Sequence, residues 1–349
     1  MTDYIAIKQI NHPDLWDSYV EKNPLAEFSH LYGWRRVIQK TYGHKPVYLA
    51  AVHVRENREV VCGILPMFVF QSMAGERRLV SLPFVDTAGI LADAKVIEHM
   101  LFNRAADLMR KTGCKAMDIR QDRPLWCSGR IEGFNINIST LKVGLKLTLG
   151  ASQQELKKRF KSKLRSQINR AVKNGLKAKT GKKELIDPFY RVFSRNMRDL
   201  GSPVHSRRFF EAVMDVFHDE AFISVVSHGR KPVAAGFMFR FKNEIKNPWA
   251  SSLREFRPLS ANMLLYWEMM RFSCNLGLAR FDMGRSSINA STFRFKQQWH
   301  PRVRQLYWYQ WHKDLVPFKL ETLNFPWLSW VPVTPANLVG PWIRRYISL

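Results

Sequence analysis

The residues best suited to handling a charged substrate stand together at Asp282-Met283-Gly284-Arg285-Ser286-Ser287. The guanidinium of Arg285 can hold a phosphate or a carboxylate through two parallel hydrogen bonds. Gly284 lets backbone approach a ligand closely. The same charges also read as a structural ion pair between Asp282 and Arg285. Eleven residues after Arg285 comes Lys296, preceded by Phe295 and followed by Trp299. By residue type alone, a lysine among aromatics is a surface cation with its stem laid over apolar neighbours.

Phosphate capture is the second chemistry the sequence offers. From Lys157 to Lys173 the chain carries Lys157, Lys158, Arg159, Lys161, Lys163, Arg165, Arg170 and Lys173 with no acidic residue among them. Ser152 with Glu155 three positions later has the spacing of a capping box. Leu156, Phe160, Leu164 and Ile168 then follow at steps of four, so a single helix from Ser152 with one buried face and otherwise cationic faces is expected. Lys163, Arg165 and Arg170 are the candidates for contact with phosphates of tRNA, a nucleotide sugar or a lipid pyrophosphate. The whole chain has 55 Lys and Arg against 29 Asp and Glu, a formal charge of +26 that draws polyanions over long range.

Other chemistries lack their signatures. Cys62, Cys114, Cys127 and Cys274 are scattered, without a CxxC pair or a histidine at ligand spacing, so neither a metal site nor a disulfide scaffold is expected. There is no HExxH, GxSxG, Walker loop or dinucleotide fingerprint. The start, MTDYIAIKQINHP, does not read as a signal peptide, which points to the cytoplasm. Thr322 to Ile343 is uncharged and long enough for a bilayer, but Pro326, Pro332, Pro335 and Pro341 argue against a spanning helix. With its tryptophans and Arg344 and Arg345, this tail suits either a peripheral contact with an anionic inner-membrane surface or a strap packed over the domains.

The elements that must position these residues form a repeat. With 349 residues the chain is long enough for two domains. VYLAAVHVRENREVVCGILPMFVF predicts two strands, followed by a helix over about Lys95–Lys111, Gly113 and the strand CKAMDIR. AFISVVSHGRKPVAAGFMFRF predicts the same strand pair, followed by a helix over about Asn262–Asn275, Gly277 and LARFDMGR. Both copies carry V-x-x-G, at Val60 to Gly63 and Val233 to Gly236. Both place a glycine five residues before an aspartate, Gly113 before Asp118 and Gly277 before Asp282. Strand, strand, helix, strand is a mixed α/β (α+β) layer, here made twice. The boundary is expected near Leu149 and Gly150, giving domains over 1–150 and 151–312 and a Pro/Trp-rich tail over 313–349. Asn262 opens the second central helix as an N-cap. Tyr307 and Tyr309 alternate in a closing strand, as proton donors or as strand packing. Trp34 and the segment Ser81 to Gly89 read as scaffold to which no chemistry attaches.

FKSKLRSQINRAVKNGLKAKTG, then FYRVFSRNMRDLGSPVHSRRFF, then FDMGRSSINASTFRFKQQW resemble the FemAB-type branch of the GNAT acyltransferase superfamily, and within it the members associated with exosortase and exopolysaccharide gene clusters. FSHLYGWRRVIQKTYGHKPVYLAA and LVSLPFVDTAGILAD extend the resemblance to the first half. The resemblance implies two tandem GNAT-like domains, each a mixed, mostly antiparallel sheet flanked by helices, with the active site in a second, BioF2-like domain. It implies N-acyl or aminoacyl transfer to an amine of a cell-envelope, peptidoglycan or exopolysaccharide precursor. The donor would be acyl-CoA or aminoacyl-tRNA, no cofactor would be tightly bound, and the acceptor would be a phosphorylated or lipid-linked sugar.

On that resemblance Lys296, in an FK-x-x-W setting, stabilises negative charge on the donor ester or thioester, with Arg285 and Asp282 beside it as catalytic candidates. Trp249, Ser251, Asn262, Gly284, Ser286, Trp299, Tyr307 and Trp34 are the candidates for substrate binding. The chain departs from the pattern in one place: where GNAT enzymes carry a glycine-rich pyrophosphate loop, Phe256-Arg257-Pro258-Leu259-Ser260-Ala261-Asn262 holds no glycine. The coiled-coil arm of the long members is also missing. The rival readings of the charge are a non-catalytic nucleic-acid-binding protein, for which no named binding module is present, and a membrane-peripheral scaffold for polysaccharide assembly.

Overall fold

The computed structural model describes residues 3–56, 58–127, 129–313 and 325–348; the stretch of the expected tail at 314–324 lies outside them. The described chain forms two compact units, one of residues 3–142, 305–313 and 345–348, the other of 143–304 and 325–344.

The first unit runs β1 (Asp3–Gln9), α1 (Pro13–Lys22), α2 (Gly33–Tyr42), β2 (Lys45–Arg55), β3 (Arg58–Gln71), β4 (Arg77–Ser81), β5 (Leu91–Ala92), α3 (Lys95–Lys111), β6 (Ala116–Gln121) and β7 (Asn135–Ser139). β2 and β3 form the expected antiparallel hairpin, and β6 lies parallel to β4. α3 spans the residues expected of it. It buries Leu101, Phe102, Ala105 and Met109 in one core with Leu49, Leu65 and Met117 of the sheet. The glycine of V-x-x-G sits where the helix crosses: a Cβ on Gly63 would fall 2.7 Å from Ile97 Cγ2.

The second unit runs β8 (Lys142–Thr148), α4 (Gln153–Arg159), α5 (Ser162–Lys173), β9 (Leu176–Gly181), α6 (Ile186–Asp199), α7 (Arg207–Val216), β10 (Ala221–His228), β11 (Lys231–Phe241), β12 (Glu244–Ser252), α8 (Ala261–Asn275), β13 (Arg280–Ser287), α9 (Ser291–Gln297) and β14 (Arg302–Gln305). Its sheet has the order β14-β8-β13-β12-β11-β10-β9. α8 repeats the role of α3, and Gly236 that of Gly63, a Cβ there falling 2.6 Å from Met269 Sδ. The two helix-ending glycines, Gly113 and Gly277, both take left-handed φ, +66° and +71°, as helix C-caps require. The repeat is therefore physical: two mixed sheets, each crossed by one apolar helix. Beyond it a 3₁₀ turn at Pro326–Trp330 and α10 (Val333–Arg344) pack on α6.

Two expectations change. The last strand, β15 (Tyr307–His312), lies in the first sheet, between β6 and β7. β8 lies in the second sheet, between β13 and β14. Each sheet thus takes one strand from the stretch that a cut at 150 and 312 assigns to the other domain. Strand propensity marks both segments as strands but does not name their partners, which long-range pairing decides. The single helix expected from Ser152 is two. Ser152 caps as expected, its Oγ accepting the Glu155 amide at 3.2 Å. The backbone then turns extended at Phe160 (ψ 144°) before α5 begins. Phe160 sets its ring edge-on to Trp299 and Trp267 at 5.2 and 6.1 Å. Leu156, Phe160, Leu164 and Ile168 are all buried, so the apolar face is as expected while tertiary packing overrides helix continuity.

Candidate active site

β12 and β13 pair in parallel only from Glu244–Arg280 to Lys246–Asp282. Past that point β12 follows β11 as far as Ser252, and β13 runs on to Ser287 without further pairing to β12. Two features open this mouth. A register shift between β11 and β12 at Phe237/Phe239 is stitched by Asn247, whose Nδ2 donates to the carbonyls of Phe237 at 2.7 Å and Trp249 at 3.0 Å. Gly284 then takes φ +71°, and a Cβ there would stand 2.8 Å from the Asn247 carbonyl oxygen.

Asp282 holds this bend. It is 3% exposed; its Oδ1 accepts the Gly284 amide at 2.8 Å, and its Oδ2 lies 3.5 Å from Lys246 Nζ and 3.8 Å from Lys146 Nζ. The cations paired with Asp282 are therefore Lys246 and Lys146, in place of the Asp282–Arg285 pair that the sequence left open. Asp118 in β6 of the first unit is its repeat counterpart, buried and paired with Arg78 at 2.8 Å.

Lys296 is not a surface cation. Although α9 is short, Lys296 is 7% exposed, and its Nζ donates to the Arg285 carbonyl at 2.8 Å. A buried ammonium is costly unless bonded, and here it is fixed to the backbone of the strand that borders the mouth. Buried polar atoms without a hydrogen-bond partner in this unit include Ser286 Oγ, next to Arg285 on β13, and Trp299 Nε1, three residues after Lys296, with Asn247 Oδ1 on β12 and Gln167 Oε1 on α5. Each such group costs on the order of 1–3 kcal/mol, which makes Ser286 and Trp299 candidates for hydrogen bonding to a substrate. The Trp299 ring is wedged between Phe160 and Tyr266, and burial pushes the Tyr266 phenol up.

Asp282, Gly284, Arg285, Ser286, Lys296 and Trp299 thus come together on β13, α9 and the turn after α9. Trp249 and Ser251, on β12, face α6 and α7. Trp249 packs on Phe209, Phe210, Phe237 and Phe239 at 5.3–5.8 Å, and Ser251 Oγ accepts Asn196 Nδ2 at 3.1 Å. Asn262 is the second residue of α8 and not its cap; Ser260, at φ +63°, occupies that position without a side-chain hydrogen bond. Lys163 and Arg170 are exposed on α5, and Arg165 is half-buried. Trp34 is buried in the first unit, its Nε1 donating to the Phe28 carbonyl at 3.3 Å. Tyr307, on β15, also belongs to the first unit, opposite Gln121 of β6. Asn247, Lys146, Lys246 and Gln167 escaped the sequence reading. Only the second residue before Trp249 in a polar-interrupted strand hinted at Asn247, and nothing local marks the other three.

Residues 158–297 match the model of an acetyltransferase (GNAT) domain. Among curated proteins, none matches the sequence. Solved structures resemble the chain in fold. FemX superposes with a TM-score of 0.66 at 13% identity, over 87% of this chain and 96% of FemX. The L-PGS from Bacillus licheniformis gives 0.56 at 13%, over 98% of both chains. A tandem GNAT protein from the clavulanic acid biosynthesis pathway gives 0.57 at 11%, over 90% of this chain and 100% of that one. Residues 158–297 of the second unit are thus similar to a GNAT acetyltransferase domain, and the chain has the fold seen in FemX and the tandem GNAT protein.

Proposed function

We propose that the protein is an N-acyl or aminoacyl transferase, acting from the mouth between β12 and β13 on an amine of a phosphate-linked sugar precursor of the cell envelope or an exopolysaccharide. The observation that carries the reading is the burial of Lys296 with its Nζ on the Arg285 carbonyl, beside the unpartnered Ser286 Oγ and Trp299 Nε1.

The neutral amine of the acceptor attacks the carbonyl carbon of the donor thioester or ester, and the carbonyl oxygen becomes an oxyanion. Lys296 Nζ, Ser286 Oγ and Trp299 Nε1 are donors fixed in place before reaction, which is how such charge is stabilised without reorganisation. Collapse breaks the bond to the thiolate of CoA or the ribose oxygen of tRNA, and the amine proton leaves with that group.

The start of α8 supports an acyl-CoA donor. This helix has 15 residues, no side-chain cap, and exposed Arg254 and Arg257 on the turn before it, so its N-terminus favours a pyrophosphate. Ser260 supplies the left-handed turn for which the usual loop uses glycine. The exposed cations of α5 support an aminoacyl-tRNA donor or a phosphorylated acceptor. Either donor places the reaction in the cytoplasm.

Binding of acyl-CoA and of charged tRNA, measured in parallel at moderate salt, tests the donor. Saturable acyl-CoA binding supports the thioester reading. Charged-tRNA binding that weakens in a Lys163→Glu/Arg165→Glu variant supports the tRNA reading. Binding of neither overturns the donor assignment.

A further inference from the structure

The strap over α6 buries Leu328, Ala336, Gly340 and Ile343 and turns several other large apolar side chains outward. Ala336, Gly340 and Ile343 of α10 are buried, and Gly340 is so close that a Cβ would stand 3.1 Å from Val204. Asn337 Nδ2 donates to Ser194 Oγ at 3.3 Å, and Arg198 Nη1 to the Ser329 carbonyl at 3.1 Å. Arg344 Nε bonds to the buried His205 at 3.2 Å. The strap is therefore fixed on the domain and is not a loose tail.

What it turns outward is apolar. Trp330 is 90% exposed, Leu338 76%, Trp342 58% and Trp327 49%, with Val339 beside them. Leu338 and Trp342 are four residues apart and share one face of α10. A soluble surface does not ordinarily gather such side chains on one short segment, and contiguous apolar patches mark interaction sites. Tryptophan is the residue that prefers the boundary between headgroups and acyl chains. From Phe325 to Arg344 there is no Asp or Glu. On α6, Arg191 is exposed one turn from the Ser194 contact. No helix among the described residues is long and apolar enough to cross a membrane.

We propose that this face docks on the surface of an anionic lipid bilayer, with the tryptophans and Leu338 in the interface and the protein's excess positive charge drawing it there. An apolar face with no acidic residue, on a chain of charge +26, matches an anionic surface better than a second copy of this chain, which would bring the same positive charge. The inference stands apart from the acyl-transfer reading and can fail separately from it.

The test is co-sedimentation of the full-length protein with vesicles of phosphatidylcholine alone and of phosphatidylcholine with one-third phosphatidylglycerol, at low and physiological salt. It is repeated for a Trp330→Ser/Leu338→Ser/Trp342→Ser variant whose thermal transition is checked first. All three positions are exposed, so the fold is expected to be unchanged. Partition into the anionic vesicles should exceed that into neutral ones and fall at least about tenfold in the variant, as loss of interfacial apolar area requires. No binding to either vesicle, equal binding by both proteins, or indifference to lipid charge overturns the proposal. So does self-association of the wild-type chain in sedimentation velocity that the variant loses while vesicles bind neither, which would assign the face to a second copy.

Discussion

Gly284 shows how far a single residue constrains the candidate site. Its φ of +71° and the 2.8 Å that would separate a Cβ from the Asn247 carbonyl leave no space for a side chain. Gly284→Ala should lower stability by roughly 1–3 kcal/mol, through left-handed strain and the backbone clash, and should impair donor binding more than Ala at the exposed Ser18 of α1 would; urea denaturation and binding isotherms check both. His44 carries a pH prediction. Burial first, and the nearby Arg345 second, push its imidazole down to about 4. An imidazole in the unfolded chain titrates near 6.5, so between about 6.5 and 4 the unfolded state binds a proton that the folded state does not. The stability is complete above that window and is lost as pH falls through it, by about 3 kcal/mol at most. His205 in the second unit is shifted in the same direction by burial and Arg344. Replacing His44 with Phe, which keeps the ring contact with Phe70, should flatten the acid-side slope of urea midpoints by up to one proton.

The elements were legible where local pattern and tertiary structure agree. α3, the β2–β3 and β10–β11 hairpins, the glycine C-caps and the buried faces of α4 and α5 follow from periodicity and turn chemistry that no distant contact opposes. The break at Phe160 was not legible, since it depends on Trp267 and Trp299, more than a hundred residues away. The N-cap of α8 lies two residues before the expected Asn262 because Ser260, a poor candidate for φ +63° by residue type, takes that conformation. The same limit held at the site. Gly284, Arg285, Ser286, Lys296 and Trp299 stand out in sequence, whereas Lys146, Lys246 and Gln167 acquire meaning only once the sheet places β8 beside β13 or α5 packs on α8. At this scale α5 carries its own prediction. Reversing Lys163 and Arg165 to glutamate should weaken a tRNA or phosphosugar ligand by about 10- to 100-fold at low salt and reduce the log–log salt slope by about two, leaving the thermal transition in place; filter binding across a salt series checks it.

At the scale of the whole molecule, the strand assignments make both sheets depend on distant parts of the chain. Among the described residues, β7 is held in the first sheet through β15 alone, and β14 in the second through β8 alone. A fragment of residues 1–150 lacks β15 and removes β8 from its sheet. Expressed alone it should aggregate or show no cooperative unfolding by circular dichroism, and co-expression with 151–349 should restore a folded complex. A cooperative, monomeric 1–150 would contradict the pairing. That dependence was invisible to the repeat, which ends in each copy at the aspartate-bearing strand before the added strands begin.

The proposed activity is acyl transfer in the mouth between β12 and β13 with Lys296 as a charged donor. Single-turnover transfer of a radiolabelled acyl group from acyl-CoA and from aminoacyl-tRNA to amine-bearing sugar nucleotides, in wild type and Lys296→Ala, tests it most directly. Transfer from one donor class and a fall of about 100-fold or more in the variant are expected, with its circular dichroism unchanged and with partial recovery in Lys296→Arg. Transfer at the wild-type rate by Lys296→Ala, or no transfer from either donor by the folded wild-type protein, would contradict it.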